Sequence, residues 1–216
     1  FFSPGSNLTL AVYDLTLQTM LLQAASLLLI AAVNGSIISL CALAFGDAGP
    51  AQDGRLTLSP FPHIDILGGL ALIVFGLGWI RPVVLARSAP RSRLWTTTAI
   101  IVAGSLAIAV LALLASLLLP FVAVSLSRTA APLAADFIAK FVRVALGFAL
   151  VNLIPLPPLA GGYLLDLIWP SGAARLRRHS LVVALALLAM LATGYPTRTI
   201  GAVIAPGVDL LMHTSG

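Results

Sequence analysis

Few side chains in this chain can do acid–base, nucleophilic or metal chemistry, and those few are scattered. All seven acids are aspartates, at positions 14, 47, 53, 65, 136, 166 and 209, and no glutamate occurs anywhere. The three histidines, His63, His179 and His213, lie far apart in sequence and read individually as loop or interface side chains. Cys41 sits alone in an apolar run, so it forms no internal disulfide and leaves the redox compartment unread. The serines fall in no G-x-S-x-G or Ser–Lys arrangement. Gly76-x-Gly78 lacks the strand–helix context of a dinucleotide loop. Asp136, Lys140 and Arg143 share one face of an apolar helix, with Asp before Lys in the favourable order. They read either as a polar contact or proton path or, more simply, as side chains snorkelling from a helix end. Asp166 is expected to pair with Arg175 or to lie in the membrane interface. Asn34 and Ser36 are expected to hydrogen-bond to Asn152 or to backbone carbonyls.

The elements that must position these groups follow from composition. Of 216 residues, 60% are hydrophobic and 9% charged, with a mean hydropathy of +1.08. A soluble domain carries about 25% charged residues, so this chain lacks the polar surface of one, and its apolar content excludes a disordered chain. The composition predicts an all-α, polytopic membrane bundle in a single domain, 1–216, with room for about four to six spans of about 20 residues. The spans are expected at about 15–45, 94–119, 133–158 and 180–194, with an interfacial segment at 198–213. Segment 64–85 is left between a span and a re-entrant hairpin, because Gly68, Gly69, Gly76 and Gly78 disfavour a straight helix. Residues 1–14 form a polar lead-in without the form of a signal peptide, and the initial Phe suggests a trimmed or processed start.

The net charge of +5 comes from 12 basic and 7 acidic residues, too sparse for a nucleic-acid surface. Arg87, Arg91 and Arg93 in connector 86–94, and Arg175, Arg177, Arg178 and His179 in connector 170–179, are expected on the cytoplasmic side. Two intervening spans place them on the same face. The implied setting is a multi-pass protein of a bacterial inner membrane or an equivalent one. Ala103/Ala107 and Ala112/Ser116 have the small-residue spacing that lets membrane helices approach closely.

The most specific string is Asn152-Leu-Ile-Pro155-Leu-Pro157-Pro158-Leu-Ala160-Gly161-Gly162. Prolines here remove hydrogen bonds that lipid cannot replace, so such a segment persists only where it is bent inside protein, or as a plain helix terminator. It resembles the N-x-x-P-x-P-P-L-D-G-G segment of the site-2 protease family of intramembrane zinc metalloproteases. Four other stretches resemble the same family in the same order. Gly46-Asp47 follows the first helix, and Leu56-Thr-Leu-Ser-Pro-Phe-Pro-His63-Ile-Asp65 leads into Gly68. Gly78-Trp-Ile-Arg-Pro-Val83 is similar to a G-W-A-K-P-V segment, and Ala103-Gly104 falls where the family has A-G-P-x-x-N. The resemblance covers roughly residues 20 to 170.

That resemblance implies a zinc site in which H-E-x-x-H supplies two histidine ligands and a glutamate base, and the Asp of L-D-G supplies the third ligand. Here H-E-x-x-H falls on Asn34-Gly35-Ser36-Ile37-Ile38, and the ligand Asp on Ala160. The family's Pro and Asn of the third motif fall on Ser105 and Ile108. Asn34, Gly35, Ile38 and Ala160 therefore read as degenerate positions. Gly46, Asp47, His63, Asp65, Asn152, Pro155, Pro157, Pro158, Gly161 and Gly162 read as motif remnants. The expectation is an inactive homologue with no metal and no cofactor. It would act as a structural or regulatory scaffold, an accessory subunit binding other transmembrane proteins in the bilayer, with no nucleic-acid partner. The alternatives are an active intramembrane zinc metallopeptidase and a small transporter.

Overall fold

The computed structural model describes residues 16–83, 85 and 93–213. The polar lead-in and most of connector 86–94, including Arg87 and Arg91, lie outside the described residues, which contain helices, turns and loops but no strand.

Helix α1, Leu17–Ala44, opens where the Thr16 hydroxyl accepts from the Thr19 amide at 3.1 Å. Its 28 residues extend about 42 Å, longer than a hydrocarbon core of about 30 Å. A short helix α2, Gly49–Gln52, and a 3₁₀ turn, Phe61–His63, lead into α3, Ile66–Phe75. Asp65 caps α3 by accepting from the Gly68 amide at 2.8 Å, and Gly76 ends it in the left-handed region at φ 72°. From Leu77 the chain is non-helical and returns beside α3, closed by a 2.7 Å bond from the Arg81 amide to the His63 carbonyl. The two limbs meet at glycines: a Cβ on Gly68 would overlap the Trp79 carbonyl, and one on Gly78 would overlap the Gly68 carbonyl. Residues 64–83 therefore run out as a helix and back as a non-helical limb.

Helix α4, Arg93–Ser116, and the short α5, Leu119–Ser125, together cover the expected 94–119 span. Along α4 the residues buried at four-residue spacing are Gly104, Ile108, Ala112 and Ser116. The seam is thus built on the expected Ala112/Ser116 pair, whereas Ala103 and Ala107 lie only partly buried beside it. Helix α6, Ala130–Val151, stops earlier than the expected 158, because Pro155, Pro157 and Pro158 cannot donate to a continuing helix. Its Phe141, Val142, Ala145 and Phe148 pack against Ile30 and Ala31 of α1, Ile108 and Ala112 of α4 and Leu72 of α3 in the central core.

Asp136 and Arg143 are exposed and Lys140 is partly buried, and none of the three forms an ion pair among the described residues. Helices α7, Gly162–Ile168, and α8, Pro170–Arg178, follow. Here Asp166 bonds to Arg177 rather than the expected Arg175. Helices α9, Ser180–Ala192, and α10, Tyr195–His213, meet at a bend of 71°. The segment read as interfacial is thus the body of a 19-residue helix, with Val208 in the central core.

By length and composition two units can cross a membrane, α1 and Leu94–Ser125, and a third if the bent α9–α10 pair counts as one span. These make the chain a membrane protein. Helix α6, which carries the three charges, is not among them.

Candidate functional site

Three positions that the motif readings single out come together although they are far apart in sequence. Ile38 from the C-terminal part of α1, Asn152 at the end of α6 and Ala160 in the following turn line one small cleft. Ile80, Arg81, Pro82 and Val83 of the hairpin's return limb, Pro158, and Tyr163 of α7 complete its wall. The cleft measures about 10 Å³, space for a single water at most.

Asn152 organises the turn. Its backbone carbonyl accepts from Gly161 at 2.7 Å, and its side-chain oxygen accepts from the Ala160 amide at 3.3 Å. Its side-chain nitrogen donates to Phe148 O at 2.9 Å and reaches Gly78 O at 3.5 Å. One buried amide thus ties α6 to the proline turn and to the hairpin. Of the two partners expected for Asn34, Asn152 or a backbone carbonyl, Asn152 is engaged by Phe148, Gly78 and Ala160 instead. Pro157, Gly161 and Gly162 are buried in this turn, and Pro155 faces outward. Gly161 lies so close to the Ile154 carbonyl that a Cβ there would overlap it.

On α1, Ile38 is 2% exposed and rests on Gly104 of α4, where an added Cβ would crowd its side chain. Asn34 is buried beside the same glycine, and its side-chain oxygen has no hydrogen-bond partner among the described residues. Ser36 does bond to backbone carbonyls as expected, to Ala32 O and Thr57 O, both at 2.6 Å.

Gly35 faces a different neighbour. The fully buried imidazole of His63 lies against it, and any Cβ at position 35 would overlap that ring. His63 Nε2 sits 3.1 Å from Thr57 O. A carbonyl only accepts, so Nε2 carries the proton and Nδ1 the lone pair. Nδ1 is buried and has no partner among the described residues. Burial, with the nearby Arg55 charge as a smaller cause, holds the His63 pKa below its ordinary value, although the Thr57 bond opposes them.

The remaining motif residues are structural pieces of the hairpin and of the turn that leaves α1. Asp65 caps α3 and also accepts from Trp79 Nε1 at 3.1 Å. Gly46 turns the chain out of α1 at φ 87°, and the buried Asp47 accepts from the Gly49 amide at 3.0 Å. The sequence reading missed Arg55 and Tyr163. Arg55 is 8% exposed and donates through Nη1 to Arg81 O at 3.2 Å. Nothing in the local sequence marks it, because its partner is 26 residues away.

The zinc that the resemblance implies can be tested against these donors. A glycine and an alanine supply no ligand atom, Ile38 is inert, and a neutral amide such as Asn34 is a poor zinc ligand. Among the described residues no three His, Cys, Asp or Glu side chains gather. The set at positions 34, 35, 38 and 160 does not fit a tetrahedral zinc with three protein ligands.

Over 131 residues the chain is 31% identical to a Bacillus subtilis (strain 168) protein named putative zinc metalloprotease YwhC. The match covers 59% of this chain and 60% of that relative. No family model and no solved structure matches. The similarity supports a relationship to zinc metalloproteases. It also corrects the expectation of an inactive homologue: the matched relative carries a protease name, and the assignment of this chain as a non-enzyme is withdrawn.

Proposed function

We propose that this chain is a multi-pass, site-2-protease-like membrane protein that works by holding other transmembrane proteins. It serves as a scaffold or accessory subunit of a larger membrane complex. In this reading 1–216 forms one membrane domain and the α3 hairpin is re-entrant. Connectors 86–94 and 170–179 face the cytoplasm of a bacterial inner membrane or an equivalent one. The observation that carries it is the convergence of Ile38, Asn152 and Ala160 on one cleft beside the non-helical return limb. The open apolar flank of α4 and α5 supplies a second face for helix contact, with Leu106, Leu114, Phe121 and Val124 exposed.

Photo-crosslinking in intact membranes tests this reading, with the crosslinker placed at Ala160 and separately at Leu114. A discrete membrane-protein adduct at one of these sites, absent from a control at Leu133 on α6, is expected. A chain that forms no adduct at either site and purifies alone as a monomer overturns it.

A second reading, an intramembrane zinc metallopeptidase, is favoured by the name of the Bacillus subtilis relative. It requires ligands other than those at positions 34, 38 and 160. Stoichiometric zinc in the purified protein together with cleavage of a helical membrane substrate establishes it.

A further inference from the structure

Arg81 lines the cleft, its main-chain carbonyl holds Arg55, the two positive charges oppose each other, and among the described residues no carboxylate forms an ion pair with either. Arg55 is nearly buried and donates from Nη1 to the Arg81 carbonyl. Arg81 itself is exposed and lines the cleft beside Tyr163. Among the described residues the one ion pair is Asp166–Arg177, so neither Arg55 nor Arg81 has a carboxylate partner. Asp53 acts on Arg55 only as a weak favourable charge from the exposed end of the same loop. A buried cation left without a counter-charge is costly, and guanidinium forks suit a tetrahedral oxyanion.

The surroundings indicate which oxyanion. The loop that carries Arg55 continues through Leu56, Leu58, Phe61 and Ile66, which are 44%, 72%, 76% and 85% exposed. A soluble phosphate has no use for such side chains, whereas acyl chains lie against them favourably. We propose that Arg55 and Arg81 hold the phosphate of an anionic phospholipid whose chains pack on Leu58, Phe61 and Ile66. The site does not depend on partner binding, so its failure leaves the scaffold reading untouched, and the reverse also holds.

Lipid retention through detergent exchange, read by native mass spectrometry, tests it on the full chain. Phosphatidylglycerol, phosphatidylcholine of the same chain length and inorganic phosphate are supplied in separate arms. Wild type is expected to keep one phosphatidylglycerol in preference to phosphatidylcholine. Arg81→Gln leaves the backbone carbonyl that anchors Arg55 in place, and should lower retention about tenfold or more. Arg55→Lys keeps the charge but loses the fork, and should weaken retention in the same direction. Arg128→Gln, in the exposed turn before α6, should change nothing. Equal retention by wild type and Arg81→Gln, or no preference over phosphatidylcholine, overturns the proposal. Binding of inorganic phosphate without lipid retention overturns the lipid as the source.

Discussion

Two of the apolar units among the described residues, α1 and α4–α5, are built on opposite terms. In its most apolar stretch α1 is 44% buried, against 17% for the α4–α5 unit. Around α1 the hairpin, the proline turn and α4 close in on glycines, and Ser26, Ser36 and Ser39 bond to backbone carbonyls. Along α4 and α5 a single seam of small and branched residues touches the bundle, and the rest of the surface is apolar and open. The same hydropathy thus serves two ends. One helix is an internal frame whose neighbours are set to fractions of an ångström, and the other is a wall that faces whatever surrounds it.

The sharpest break in that contrast should come from Trp79, which is 2% exposed and wedged between Gly68 and Asp65. Trp79→Ala should cost about 3–5 kcal/mol, measured as a loss of thermal stability in detergent. Gly35→Ala should cost about 1–3 kcal/mol through overlap with His63. Combining it with His63→Ala should recover part of that loss, and an additive double mutant would show that the two residues do not press on each other. Asp65→Ala removes a helix cap and the Trp79 acceptor together, for a loss of about 1–2 kcal/mol. At the other end of the scale, Leu114→Ala on the open wall should shift stability by less than about 0.5 kcal/mol. In the same protein it should reduce partner crosslinking at that face.

Acid sharpens the comparison further. His63 has a folded-state pKa depressed by burial, so below its unfolded value of about 6.5 the unfolded chain binds a proton that the folded chain resists. Stability is therefore full above that value and falls as pH drops toward the folded pKa. His63→Gln should flatten this acid limb in a melting series, and an unchanged limb would assign it to other groups.

Legibility in sequence followed the range of the contacts. The ends of α1 could be read because polarity steps sharply at Gly46-Asp47, and the glycines of 64–85 correctly cast doubt on a straight helix. The cleft was legible only through spaced motifs, which placed Ile38 and Ala160 at equivalent chemical positions before any geometry was known. Three features escaped for a shared reason. The Arg55–Arg81 link, the His63 ring over Gly35 and the choice of Arg177 by Asp166 all depend on how turns orient side chains, which periodicity does not encode. Helix α6 was read too long because its apolar pattern continues past Val151, although the prolines that follow forbid the hydrogen bonds.

The lodging of His63 against Gly35 also constrains how both positions can change. Any side chain introduced at 35 meets the imidazole where it now lies, so that substitution requires the His63 ring to shift. The two positions are sterically coupled, so a change at one alters what the other can accept.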